Sequence, residues 1–247
     1  MSSSPSRTAL VTGASSGIGW ETARLLAERN WTVIVHAPDI ASGQSARERL
    51  IAAGVDASLV HTAVADFARL DAVRSMASAI AAAYPAIDVL VNNAAVAAPE
   101  RHTITEDGNE LSFQVNFLAA YLLTRELTAP LSARPGGRVI NVSSSMHRTA
   151  SIQWNDLNRT RRYSRLAAYA QSQLALTVFA HSTGAYTSVS EPFQRGHRSG
   201  DGRLSGDPCR TDEAPRRLSE MSDVSTLQPG GLVGYLSCST GPASRAG

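Results

Sequence analysis

The chain has no lysine: all 23 of its basic residues are arginine. Any role that needs a flexible ammonium group must go unfilled or fall to a guanidinium, whose reach and geometry differ. Cysteine is nearly absent. Cys209 and Cys238 stand late in the chain without metal-ligand spacing. They read as free thiols in a reducing compartment, with a disulfide between them as the alternative. No run of about 18 apolar residues occurs, so no segment is expected to span a membrane. Met1 to Ser6 is polar and lacks an apolar stretch, so no secretory leader is expected and a cytoplasmic location is. The formal net charge is only +2, too little to draw in nucleic acid or an anionic membrane.

What is present suits one domain over 1–247: 43% of its residues are hydrophobic, enough for a sizeable core. The most informative stretch is Thr12-Gly13-Ala14-Ser15-Ser16-Gly17-Ile18-Gly19. It follows the apolar run Thr8-Ala9-Leu10-Val11 and opens a stretch of helical spacing, Ile18 to Arg29. A strand, a tight glycine turn and a helix start present unpaired amides and the positive end of a helix dipole, which favour a pyrophosphate. Gly13 permits the turn, and Gly17 and Gly19 permit close approach.

The rest of the first 180 residues alternates strands and helices. Trp31 to His36 is rich in β-branched residues and is ended by Pro38. A helix over Ser42 to Ala53 closes at Gly54. Ala57 to Val64 is a third strand leading to Asp66, and the alanine-rich Leu70 to Tyr84 is a helix stopped by Pro85. Ile87 to Val91 is a strand followed by Asn92-Asn93-Ala94-Ala95. A long helical stretch is expected from about Gly108 to Ala129. Gly137 to Val142 is a strand with Ser143-Ser144-Ser145 at its end, and a polar connection leads to a helix over about Arg162 to Ala180. This alternation predicts an α/β fold: a Rossmann-like, doubly wound parallel sheet in three α/β/α layers. Ligands bind outside the carboxyl ends of such strands. The glycine turn, Asp66, Asn92-Asn93 and Ser143 to Ser145 all fall there.

Four stretches, Thr12 to Gly19, Asn92 to Ala95, the Asn116 region, and Ser144 with Tyr169, resemble the short-chain dehydrogenase/reductase family. The connection Trp154-Asn155-Asp156-Leu157-Asn158 through Tyr163 to Tyr169, and Phe113 to Leu118, look like its retinol-dehydrogenase branch, which includes light-dependent protochlorophyllide reductases. The resemblance covers about residues 6–180. It implies hydride transfer between a nicotinamide cofactor and an alcohol or carbonyl of a small lipophilic substrate. Tyr169 would exchange the hydroxyl proton and Ser144 would hold the substrate oxygen, with Ser143 and Ser145 as rivals. Asn116 would hold a water in the proton relay, unless it lies on an exposed helix face. For the cofactor it implies Gly13, Ser15, Ser16, Gly17, Ile18, Gly19, Asp66, Phe67, Asn93, Ala94, Ala95, Val142, Tyr169 and Gln173. Asp66 would accept from the adenine amine, cap the next helix, or both, and Asn92 would bridge strands. Family members often pair through the helices at 108–129 and 162–180, which implies a homodimer or homotetramer. His102 and His147 read as surface histidines.

The chain departs from this pattern in three places. The family's catalytic Tyr-x-x-x-Lys reads Tyr169-Ala170-Gln171-Ser172-Gln173. The spacing keeps both side chains on one helix face, but the cation that would favour an ionised tyrosine is absent. Turnover is expected to be slow or absent, with cofactor still bound. Second, NADP and NAD both remain open: Pro38 stands where the branch commonly has arginine, Asp39 comes one step late for a ribose ligand, and the branch itself favours NADP. Third, residues 181–229 are an atypical polar segment in which only Thr187-Ser188-Val189 is strand-like. A family-like Gly230-Gly231 texture then returns in the tail, 230–247. A divergent lid and a shifted reading frame both fit. Two further readings stand beside the enzyme: a non-catalytic nucleotide-binding relative, and a frame-disrupted inactive product.

Overall fold

Strands that lie between two helical layers must be apolar on both faces, and the first strand shows it: β1, Thr8–Val11, is buried at every position. The structure, a computed structural model, describes residues 7–183 and 186–190. After β1 come α1 (Gly17–Ala27), β2 (Thr32–Ala37), α2 (Ile40–Ala52), β3 (Val60–Val64), α3 (Leu70–Ala83) and β4 (Val89–Asn92). Then follow α4 (Leu111–Phe113), α5 (Ala119–Glu126), α6 (Thr128–Ser132), β5 (Arg138–Ser144), α7 (Arg165–Thr183) and β6 (Tyr186–Ser190). The sheet is parallel with order β3-β2-β1-β4-β5-β6. Strand order reverses between β1 and β4, so a crevice opens at their carboxyl ends.

Alternation along each strand distributes the core. Val33 and Val35 of β2 pack with Val11 against Ala23 and Ala27 of α1 and Ala46 and Leu50 of α2. Ile34 and Leu10 point the other way, onto Val73, Ala77 and Ile80 of α3 and Leu122 and Leu123 of α5. A third cluster joins Phe113, Phe117 and Tyr121 to Leu157 and to Leu176 and Phe179 of α7. Its rings meet edge-on, with centroids of Tyr121 and Phe179 5.1 Å apart. No helix among the described residues is long and apolar enough to cross a membrane.

The structure corrects several expected elements. The helical stretch expected over 108–129 is present from Leu111 to Ser132, as α4, a π-helical turn over Gln114–Leu118, α5 and α6. The widened turn coincides with two buried polar side chains, Gln114 and Asn116, which reach sideways to other segments. Asp66 does not cap α3. It accepts from the Ala68 amide at 2.8 Å in the preceding loop, while the first-turn Leu70 amide is taken by Asp107 at 2.9 Å. The strand expected at Thr187 to Val189 is longer: β6 pairs from Tyr186 beside Ile140 to Ser190 beside Ser144. Ladder pairing uses backbone groups, and Tyr, Thr and Val favour strands, so the missing apolar run does not prevent it. The polar segment after Ser190, the 230–247 tail, Cys209 and Cys238 lie outside the described residues.

Candidate functional site

The glycine turn is fitted into the end of β4. Gly13 adopts φ +61°, and a Cβ there would lie 2.7 Å from Ala94 Cα. Thr12 Oγ1 accepts from the amides of Asn93 and Ala94, each at 2.9 Å, and donates to the Val91 carbonyl at 3.2 Å. Asn93 Nδ2 returns bonds to the carbonyls of Thr12 at 2.8 Å and Gly13 at 3.2 Å. Gly19 is the close-packing glycine: a Cβ would meet Asn93 Nδ2 at 2.4 Å and the Gly13 carbonyl oxygen at 2.5 Å. Gly17 differs. At φ +56° nothing lies within 4 Å of its Cβ position, so open space fronts the start of α1. Ser16, at the N-cap, makes no side-chain capping bond, and the first amides of a helix have no acceptor within it. Ser16, Gly17, Ile18 and Ala95 are exposed and Ser15 is half-buried. The cradle fits a dinucleotide phosphate.

Beneath it lies a residue that the sequence reading passed over. His36, the last polar group in an apolar strand, is buried at 2% exposure. Its Nε2 donates to the Ala65 carbonyl at 2.9 Å, which leaves Nδ1 to accept the Gly13 amide at 3.0 Å. The ring stacks on Phe67 with centroids 4.2 Å apart. Burial lowers its pKa from 6.5 to about 4, against the opposing bond to Ala65, so the ring is neutral. His36 thus joins the glycine turn to the Ala65-Asp66-Phe67 segment. Phe67 itself is buried, which leaves its backbone as the group that could meet a ligand, while the Asp66 side chain is exposed. Asp39 is committed to α2: its carboxylate accepts from the Ser42 amide at 2.8 Å and the Ser42 hydroxyl at 2.7 Å. Both bonds hold it below the usual carboxylate range, the amide foremost.

At the other end of the crevice, β5 is fastened to α7. Ser143 Oγ bonds to the Gln173 carbonyl at 3.2 Å and to Thr177 Oγ1 at 2.9 Å. That hydroxyl is engaged by α7. Ser144 Oγ accepts from the Met146 amide at a long 3.3 Å. Tyr169 lies one helical turn before Gln173, toward the carboxyl end of the sheet, and is half-buried. Asn116 is not on an exposed face. It is 1% exposed, accepts from the Val96 amide at 2.8 Å, and donates to the Val96 carbonyl at 3.1 Å and Ser172 Oγ at 2.9 Å. Its carboxamide is thus taken up by protein partners. Gln173 is 1% exposed and its Oε1 has no partner among the described residues. An orphaned buried amide oxygen costs stability unless a ligand satisfies it. Val142 packs at the edge of the α1/α2 cluster, and Asn92 bridges to Asn141 Oδ1 at 2.8 Å, as a strand-bridging residue should.

The two histidines are also tied in. His147 Nδ1 bonds the Ser144 carbonyl at 2.6 Å, and His102 Nε2 bonds the Asn158 carbonyl at 2.6 Å, so neither is a free surface group. The Trp154 to Asn158 stretch is structural. Asn158 accepts from the Glu110 amide at 2.9 Å and donates to the Gly108 carbonyl at 2.9 Å. Gln171, on the Tyr169 helix, receives the Gln153 amide at 3.0 Å and donates to the Leu157 carbonyl at 2.8 Å. Its place beside two motif positions was a signal that the sequence reading did not use.

The family model for short chain dehydrogenases matches residues 7–185. Retinol dehydrogenase 13 of Homo sapiens is 38% identical over 176 residues, covering 71% of this chain and 53% of its own length. Polyprenol dehydrogenase of Mus musculus is 41% identical over 180 residues, again 71% of this chain and 53% of its own. The chain therefore spans about half the length of these curated relatives. Among solved structures, a metagenomic short-chain oxidoreductase in complex with NADP matches with a TM-score of 0.59 and 28% identity, over 76% of this chain and 82% of that one.

Proposed function

This chain belongs to the short-chain dehydrogenase family, and on that footing we propose that it is an oxidoreductase acting on the alcohol or carbonyl end of a lipophilic, isoprenoid-like molecule. Two relatives are named for retinol and polyprenol, both apolar alcohols. A nicotinamide dinucleotide, when bound, supplies or accepts the hydride. The pyrophosphate would rest on the amides at the mouth of α1, in the space in front of Gly17, with the adenosine beside Asp66, Asn93 and Ala94. Ser144 Oγ would donate to the substrate oxygen, and the Tyr169 hydroxyl would give that oxygen its proton in reduction or take it in oxidation.

Gln173 decides how well this runs. The open space before Gly17 at the mouth of α1 is the observation that carries the reading; the buried Gln173 Oε1, without a partner among the described residues, could take a ribose hydroxyl only after its side chain turns outward. The carboxamide brings no charge, however, so it cannot favour an ionised phenol as a cation would. Binding with slow turnover follows. The same residue favours a second reading, a nucleotide-binding relative without activity. Assembly as a homodimer or homotetramer through the outer sides of α5 and α7 belongs to the proposal, and light scattering tests it.

One preparation separates the possibilities. NADPH and NADH are titrated by tryptophan fluorescence, and turnover is followed with all-trans-retinal and a polyprenal. Saturable binding with turnover supports the enzyme, and binding alone supports the inactive relative. No binding by chain that melts cooperatively overturns both.

A further inference from the structure

We propose that Arg49, late in α2, reads the adenosine ribose of the cofactor and selects NADP by pairing with its 2′-phosphate. The inference rests on the dinucleotide reading of the glycine turn and adds the residue that sets cofactor choice. In folds of this type an acidic side chain after the second strand accepts the 2′-hydroxyl of NAD, while a nearby arginine accommodates the phosphate of NADP. Here the positions at the end of β2 supply neither. Pro38 has no polar group, and the Asp39 carboxylate is occupied by Ser42.

A cation reaches the turn from another direction. Arg49 Nη2 donates to the Ser15 carbonyl, inside the turn itself. The guanidinium lies over the Trp20 ring, 5.2 Å from its centroid. Trp20 is in turn fixed, its Nε1 donating to the Ala46 carbonyl at 3.3 Å, one turn earlier on α2. The other arginine of α2, Arg47, is spent elsewhere, on the carbonyls of Val60 at 3.1 Å and Ala57 at 3.2 Å. Arg49 is exposed. The bond to Ser15 uses one of the five donors of a guanidinium, and the rest suit bidentate contact with phosphate. Stacking on tryptophan and the anchor to Ser15 hold the side chain before any ligand arrives, so less side-chain freedom is lost on binding.

The test uses the full chain and four probes, NADPH, NADH, 2′,5′-ADP and 5′-AMP, titrated by calorimetry without turnover. The wild type should bind each 2′-phosphorylated probe at least about tenfold more tightly than its partner, the size of one charge-assisted contact. Arg49→Ala should abolish that difference, whatever common change it brings to all four affinities, and Arg49→Lys should keep part of it. Added salt should shrink the difference in the wild type and leave Arg49→Ala unchanged. An undiminished preference in Arg49→Ala, or no preference in the wild type, overturns the assignment while the dinucleotide site stands. Failure of folded wild type to bind any of the four overturns the dinucleotide reading, and this assignment with it.

Discussion

His36 Nδ1 accepts the amide proton of Gly13 at 3.0 Å, so the floor of the glycine turn is a side chain of the neighbouring strand. The bond requires a neutral ring. Burial holds the His36 pKa at about 4 instead of 6.5, so between those values the unfolded chain binds the extra proton and the native chain does not. Stability then rises with pH through this window. The contribution is complete above about pH 6.5 and is lost as the pH falls toward 4, by about 3 kcal/mol in all. Thermal melts from pH 4 to 8 should show this slope. In His36→Leu the slope should flatten and the melting temperature at pH 7 should drop, because Gly13 N–H and Ala65 C=O are left unpaired. An equal slope in the variant would assign the acid lability to other groups.

Gly17 and Gly19 should fail differently when replaced by alanine. At Gly19 the new Cβ would lie 2.5 Å from the Gly13 carbonyl oxygen, a backbone atom that cannot step aside. Gly19→Ala should therefore damage the turn and lower stability. Gly17→Ala has room, and its φ of +56° costs only about 1–2 kcal/mol. Its methyl would point into the space assigned to phosphate. That variant should fold and lose dinucleotide affinity, which a melt and a titration on the same sample would show.

Ser143 and Ser144 are neighbours with opposite expected phenotypes. Ser143→Ala removes the hydroxyl that joins β5 to Thr177 and to the Gln173 carbonyl. A loss of about 1 kcal/mol or more in stability should follow, with kcat affected only through helix position. Ser144→Ala should leave the melting temperature nearly unchanged and lower kcat/KM. The reverse pattern would move the substrate-oxygen contact to Ser143.

The β-α-β order, the glycine turn and the Tyr169 helix were legible because each rests on local pattern: an apolar run, a glycine with φ above zero, a helical spacing. What escaped depended on contacts far apart in sequence. The helical stretch over 108–129 was legible but its π-helical turn was not, because Asn116 within it bonds to Val96 and Ser172 on other segments. His36 was passed over because its worth lies in Gly13 and Ala65, in the loops that follow β1 and β3. Asp66 fits a helix cap by spacing, yet the α3 amide it could have taken belongs to Asp107, 37 residues beyond Leu70. The last strand was underread because burial, the usual cue for a parallel strand, is not what its backbone ladder with β5 requires.

Gln173→Lys tests the missing charge directly. The site is 1% exposed, and the amide oxygen there has no partner among the described residues. A buried ammonium without a counter-charge is costly, so the variant should melt lower than wild type in the absence of cofactor. Ribose hydroxyls can accept from an ammonium, so cofactor should raise its melting temperature by more than it raises that of the wild type. A cation close to a phenol favours the ionised form, and restoring a positioned acid–base contribution is worth about 10²–10⁴-fold in rate. The variant should gain turnover in that range, and its pH–rate profile should shift to lower pH. Cofactor binding in Gln173→Lys without any gain in rate would mean that the charge at this position is not what limits the chemistry.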